Sequence, residues 1–353
     1  MGTSAAFAQC PRAKQNPRLY PDGPYLLYVP SGLRFVSVDE RGKLIDTLYR
    51  REEGNPFSFD VMNDGQTRSF RVSLHDFARE EAVQPEKGKI FVVSDPHSDL
   101  ESFLSILIEG RVIDRDLNWI YGENSLLVLG DVADRGTDAV AIYWLIYKLE
   151  GDAVQHGGKV HFMYGNHEGM VLQDNYKYTN RKYTRLADTL GMRWSALIGP
   201  DSELGRWLSV KNTIQIIGRT LFVHGGISPD LEAFGLSVKE VNRVVSENIH
   251  LGKKARENAP REVRFLLDSE GPLWFRGLVS DKEKYHPVSE QELDRILKQY
   301  DVDRIVVGRT TFDGVQFRYG GKVITVDSEN EARGRKHLAL GIEIENGKVR
   351  VVD

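Results

Sequence analysis

Four short blocks in this 353-residue chain set acidic, amide and imidazole side chains beside glycine or proline. They are Asp95-Pro96-His97, Gly130-Asp131-Val132-Ala133-Asp134-Arg135-Gly136, Gly165-Asn166-His167-Glu168 and His224-Gly225-Gly226. Oxygen and imidazole donors without a thiolate suit Mn, Fe, Zn or Mg ions and argue against Cu(I) or an iron–sulfur cluster. A carboxylate shared by two cations about 3.5–4 Å apart is the device with which two-metal hydrolases hold a hydroxide against a phosphate. Asp131 is the natural bridge; Asp95 and His97 would complete one shell, Asn166 and His224 the other. Any one block has a plain structural explanation, since Asp and Asn cap helices and Gly-Asp makes turns. Four in succession do not share it. His75, His156, His161, His250, His286 and His337 follow no such spacing and read as structural.

Each block follows a short apolar run that reads as a strand: residues 89–94, 126–129, 160–164 and 220–223. Helical spacing over 99–109 (Leu100, Phe103, Leu104, Leu107) and 139–149 separates the first three runs. This alternation predicts a layered α/β domain whose function collects beyond the carboxyl ends of its strands. Further strands are predicted at 304–307, 323–326, 338–344 and 348–352, the last two back to back, so that the sheet finishes antiparallel. Segments 170–219 and 228–300 mix helix and loop and are expected to cap one end of the domain. Upstream, 25–29, 33–38 and 44–49 alternate with period two between turn residues, as in a small antiparallel β element. The chain thus divides into a leader remnant or disordered terminus (1–19), the β element with a charged, non-periodic linker over 78–88 (20–86), and the main domain (87–353).

With 41% hydrophobic and 28% charged residues, fibrous and wholly disordered classes are excluded. Lys and Arg number 47 against 51 Asp and Glu, a net charge of −4 that draws the chain to neither nucleic acid nor anionic membrane. No run approaches the roughly 18 uncharged apolar residues of a spanning helix. The single cysteine, Cys10, excludes an intramolecular disulfide and a cysteine zinc site. Ala6-Phe7-Ala8 has the small-x-small pattern of a signal-peptidase site, which would make Gln9 the mature start and the protein periplasmic or secreted. Without that processing it is cytoplasmic.

GDVADRG, GNHE and HGG, in this order, closely resemble the calcineurin-like metallophosphoesterases of the phosphoprotein-phosphatase type, and among them the bacterial Shewanella-like protein phosphatases. Asp95-Pro96-His97 corresponds to the first block of that family. Pro272-Leu273-Trp274-Phe275-Arg276-Gly277 resembles the segment that carries a phosphate-binding arginine in the Shewanella-like phosphatases and in diadenosine-tetraphosphate hydrolases. The resemblance runs from Lys89 to about Asp353. It implies a layered α-β-β-α fold with mixed sheets, preceded here by the small β element, and two divalent ions (Mn, Fe or Zn) on Asp95, His97, Asp131, Asn166 and His224. It implies hydrolysis of phosphomonoesters by metal-activated hydroxide, with His167 protonating the leaving oxygen while Asp134 holds it charged. Arg135, Asn166 and Arg276 would bind the phosphate. The implied partner is a phosphorylated protein or small phosphoester. The tyrosine-rich, basic insert 174–185 suits phosphotyrosine if it lines the pocket, and is otherwise a cap helix with its rings folded inward. The alternative substrate is a dinucleoside polyphosphate.

Two departures stand out. Ser94 and Ser98 flank the first block where the family has glycines. After the run 304–307 the family places Gly-His-Thr, its histidine being the last ligand of the second metal; this chain has Gly308-Arg309-Thr310. A guanidinium has no lone pair to give and cannot be deprotonated in a protein. Arg309 therefore leaves the second site weak or empty, and three readings follow. Arg309 clamps phosphate or turns aside over a labile second metal, or the site is effectively mononuclear, or the chain is an impaired phosphate-binding module. A working or weakened hydrolase is favoured because Asp134, Arg135, His167 and Arg276 all remain.

Overall fold

The computed structural model describes residues 18–50, 57–61, 69–327 and 340–353; Cys10, Ala6-Phe7-Ala8 and His337 lie outside them. Along the chain, β1 (Asp22–Val29), β2 (Gly32–Val38) and β3 (Leu44–Tyr49) form an antiparallel meander, followed by the antiparallel pair β4 (Ser58–Val61) and β5 (Phe70–Ser73). Next come β6 (Val83–Gln84), β7 (Ile90–Val93), β8 (Ser125–Val128), β9 (Lys159–Phe162), β10 (Ile214–Ile217) and β11 (Thr220–Val223). The last are β12 (Arg304–Val307), β13 (Gln316–Arg318), β14 (Val323–Thr325), β15 (Gly341–Glu345) and β16 (Lys348–Val352). Two main sheets result, with strand orders β16-β15-β7-β8-β9 and β13-β14-β12-β11-β10-β6. In the first, β7, β8 and β9 are parallel, and β15 and β16 finish it antiparallel as the C-terminal runs predict.

The two sheets stack face to face. Ile90, Val92, Leu127, Ile342 and Ile344 of one meet Ile217, Phe222, Val306 and Ile324 of the other in a single buried cluster. The alternate residues Phe91, Val93, Leu126 and Val128 face the helices instead. Strands buried on both faces read as continuous apolar runs, which is why their sequence is so plain. The result is the layered α-β-β-α arrangement.

Helix α1 (Leu100–Glu109) begins where the Asp99 side chain accepts from the Ser102 N–H, and it buries Leu100, Phe103, Leu104 and Leu107. Helix α2 (Ala139–Gln155) runs further than its predicted end and buries every side chain from Ala139 to Tyr147. A helix apolar all round needs cover on every side. It packs against β9 and α1 inside the domain and against β1 and β5 of the N-terminal element. There the Trp144 indole N–H donates to Pro24 O at 2.8 Å, and its ring meets Phe59 edge-on at 4.7 Å.

Two stretches differ from their sequence reading. Residues 78–88, expected as a linker, are built into the domain: Val83 and Gln84 form β6, an edge strand parallel to β10. The charges that make this stretch look solvated are tied down, Arg79 donating to Lys211 O at 2.7 Å and Glu80 accepting from His161 Nδ1 at 2.7 Å. Ile214–Ile217, inside the segment expected to cap, is instead β10, a buried strand that turns directly into β11.

Burial alone would raise the Glu80 carboxyl, but His161, Lys159 and Gln84 outweigh it and hold the pKa down at about 2. A carboxyl held below its unfolded value stabilises the fold above the unfolded pKa and loses that contribution as pH falls toward the folded one. The shift corresponds to on the order of 3 kcal/mol. In urea unfolding, the stability difference between the native protein and Glu80→Gln should be greatest above about pH 5 and shrink steadily toward about pH 2. A difference that stays constant over that range would show that the pair carries no such linkage.

Candidate metal centre

Sheet register brings the strand ends level. Val93 pairs with Val128 and Val128 with Phe162 in one sheet; Val223 pairs with Val307 and Val307 with Thr325 in the other. The loops leaving both sheets meet at one edge, where the Asp95 N–H donates to Gly130 O at 3.1 Å, His97 to Asp131 O at 3.0 Å and Gly308 to His224 O at 3.0 Å. The turns are tight: Asp95, His97, Ser98, Asp131, Asp134, Arg135 and Arg309 all have φ between 44° and 73°. These are seven of the fourteen non-glycine positive-φ positions among the described residues, so strain is concentrated here. Each such residue costs on the order of 1–3 kcal/mol that the surrounding packing must offset. Ser98, where the family glycine is expected, carries this strain at φ 61° with its hydroxyl donating to Val132 O at 3.0 Å. Ser94 donates its hydroxyl to Asp95.

One buried carboxylate fixes two of these loops to each other. Glu168 accepts from the backbone N–H groups of Asp131, Val132, Ala133 and Gly165 at 2.8–3.1 Å, and from the Tyr143 hydroxyl at 2.8 Å. Burial and the nearby Asp131 raise its pKa against those donors. Gly165 is glycine for want of space: a Cβ there would lie 2.1 Å from Asp131 Oδ1.

The five expected ligands come together in the centre. Ligand atoms of Asp95, Asp131 and His224 lie within 4.8 Å of one another, as do those of His97, Asp131 and His167, so Asp131 is common to both groups. His224 Nδ1 donates to Leu129 O at 2.6 Å, which turns Nε2 toward Asp131 Oδ2 at 3.2 Å and Asn166 Oδ1 at 3.0 Å. His97 Nδ1 likewise faces Ala133 O at 3.3 Å, with Nε2 3.8 Å from Asp95 Oδ1. Such backbone bonds set the tautomer a ligand histidine needs. Burial pushes His97 down to about 4, leaving it neutral, whereas at His224 the pull of Asp131 and Asp95 overcomes burial and holds it up at about 9. Burial, together with Asp327 and Asp131, pushes Asp95 well above the usual carboxylate range. Buried carboxylates crowded with imidazoles and an amide oxygen call for positive charge. The donor set fits divalent cations.

His167 stands differently. Its Nδ1 donates to Asp134 Oδ2 at 2.7 Å, and Thr179 Oγ1 braces the other Asp134 oxygen at 2.6 Å. His167 Nε2 points at the centre, 3.8 Å from Asp131 Oδ2. This is how a carboxylate orients an imidazole for proton transfer. The tyrosines of the insert 174–185 are placed differently. Tyr183 is buried and stacked on Trp194 at 4.6 Å, while Tyr178 is 43% exposed with its ring 5.4 Å from that of His167. The Arg135 N–H is held by Tyr178 O at 2.9 Å. Arg276 donates to Thr310 Oγ1 at 3.2 Å, and Arg309 lies over the Trp274 ring at 4.5 Å.

Two contributors carry no assigned role in the sequence. Asp327 is buried beyond β14, held by the Thr311 hydroxyl at 2.9 Å, and burial pushes it up to about 6. Its signal was available, because it follows a strand end as the other carboxylates do. Glu168 was visible within its block, yet only the fold reveals that it ties the loops.

Fold and centre together define a calcineurin-like phosphoesterase. The model of that family matches residues 88–308, and the chain belongs to it. Among curated relatives, Shewanella-like protein phosphatase 1 of Plasmodium berghei is 29% identical over 226 residues, 63% of this chain and 61% of that protein. The chain thus spans less than two thirds of that relative. Shewanella-like protein phosphatase 2 of Arabidopsis thaliana is 25% identical over 288 residues, covering 69% and 71% of the two chains. Among solved structures, the cold-active protein-tyrosine phosphatase of a psychrophilic Shewanella species superposes with a TM-score of 0.81 at 29% identity, covering 94% of this chain and 99% of that one.

Replacing Glu168 by glutamine turns an amide N–H₂ toward backbone donors that now have an acceptor, and each orphaned buried donor costs about 1–3 kcal/mol. Glu168→Gln should lose roughly 2–4 kcal/mol in urea unfolding, against about 1 kcal/mol for Tyr143→Phe. Equal losses for the two variants would show that the backbone bonds do not anchor the loops.

Proposed function

We infer that this chain is a metal-dependent phosphatase that hydrolyses phosphomonoesters on proteins, phosphotyrosine among them. The observation that carries this reading is the pair of donor groups sharing Asp131, with an Asp134-braced histidine and arginines on the same edge. Asp95, His97, Asp131, Asn166 and His224 would hold divalent cations, Mn, Fe or Zn by donor type. Bound there, the cations would lower the pKa of water and neutralise phosphate charge.

The remaining work falls to the chain's own side chains. His167 Nε2 faces the centre and delivers a proton to the departing oxygen; Asp134 fixes its ring through Nδ1. Arg135 and Arg276 offer planar donors to the phosphate oxygens, and the Asn166 side chain adds a further polar contact. Tyr178, exposed beside His167, gives an aromatic ester a surface to lie against. That placement, and the Shewanella tyrosine phosphatase at 29% identity, support phosphotyrosine as a substrate. Ala6-Phe7-Ala8 supports an exported, periplasmic protein.

Proton donation matters most when the leaving group is poor. His167→Gln should therefore lower kcat about 10²–10⁴-fold on phosphoserine or phosphotyrosine peptides and far less on p-nitrophenyl phosphate, whose phenolate leaves unaided. Asp131→Asn should remove bound metal, read by elemental analysis, and turnover of every phosphoester together. Retention of metal-stimulated hydrolysis in Asp131→Asn would defeat this reading.

A further inference from the structure

Arg309 occupies the place of an expected ligand histidine yet cannot be a ligand. Its backbone is fixed against the centre: its N–H donates to Asp95 Oδ2 at 3.1 Å with φ at 66°. The preceding Gly308 leaves no room to relax, since a Cβ there would lie 2.1 Å from Ser94 Oγ and 2.7 Å from Asp95 Oδ2. From this anchor the side chain lies over Trp274 at 4.5 Å, with Nε buried and without a hydrogen-bond partner among the described residues. Arg276 stands close by and opposes the Arg309 charge more than any other ionisable group does, while Asp131 and Asp95 draw it the other way. The side-chain hydrogen bond Arg276 makes is to the neutral Thr310 hydroxyl. Among the described residues no carboxylate forms an ion pair with Arg135, Arg276 or Arg309. Tyr178, whose ring stands 5.4 Å from that of His167, feels the charges of both Arg135 and Arg309.

Two half-buried guanidinium groups side by side without a counter-ion are unfavourable unless an anion completes them. Stacking on Trp274 accounts for the direction of Arg309 but not for its unmet Nε or for its charged neighbour. A tetrahedral oxyanion, accepting from two planar forks, satisfies both.

Resting on the phosphatase reading, we propose that Arg309 is a phosphate-binding residue. With Arg276 it clamps the substrate's phosphoryl group, supplying from the protein positive charge that the family draws from a fully liganded second cation. Phosphate binding in this chain then depends only partly on metal.

The test is calorimetric titration of the full-length protein, stripped with chelator, with inorganic phosphate. The metal-free native protein should bind phosphate, Arg309→Gln should bind at least tenfold more weakly, and Arg309→Lys several-fold more weakly, because a point charge replaces a planar fork. Circular dichroism verifies the fold, and the lysine variant keeps the test decisive should the glutamine protein not fold. Arg309→His should gain bound metal by elemental analysis while losing metal-free phosphate affinity. Affinities within twofold of native in both the Gln and Lys proteins, or no phosphate binding by metal-free native protein, would overturn the clamp. The phosphatase reading fails separately, through loss of metal-stimulated turnover in a native protein that still binds phosphate.

Discussion

The Glu168 carboxylate is the constraint on which the site depends. It lies in a buried layer where an ionised group survives only if its lone pairs are used, and four backbone N–H groups and one phenol use them. The bonds are directional, so they dictate where the loop after β8 runs relative to the start of the helix Asn166–Leu172. Asp131 is set by that path, its N–H on Glu168 and its Oδ1 accepting from the His167 N–H at 2.8 Å. Asp131 and His167, the proposed shared ligand and proton donor, are thus both placed by one buried residue.

Around this point the molecule tolerates a concentration of strain. Left-handed turns at aspartates, a serine, a histidine and arginines are unfavourable individually. They persist because the strands behind them are locked on both faces, one against the opposing sheet and the other against helices. Packing at native density leaves such strands no alternative register. Stability is drawn from the sandwich, and precise but unfavourable geometry appears at its edge.

What was legible in the sequence follows from the same physics. Doubly buried strands announce themselves as apolar runs, so the residues just beyond them could be recognised as converging, and Asp95, His97, Asp131, Asn166 and His224 do meet. Asp327 escaped notice because a lone aspartate after a strand carries no flanking block to mark it. β6 escaped because pairing across the sheet, not local pattern, makes it a strand, whereas β10 is an apolar run that was subsumed in the mixed stretch 170–219. Two residues bracketed by charges look like a linker until Arg79 and Glu80 find partners far along the chain. Of the insert's tyrosines, Tyr183 folds inward against Trp194 as a cap helix requires, while Tyr178 lies exposed beside His167.

Helix α2 carries an implication for dissecting this molecule. Its Trp144 and Tyr147 rings are covered in part by residues that precede Lys87: Pro24 and Phe59 at Trp144, Phe77 at Tyr147. A fragment trimmed to the family's own boundaries would bare that aromatic ridge to water, an adhesive stripe prone to self-association. Domain swaps, fusions and trimmed fragments of the phosphoesterase layers are therefore expected to need the upstream segment with them.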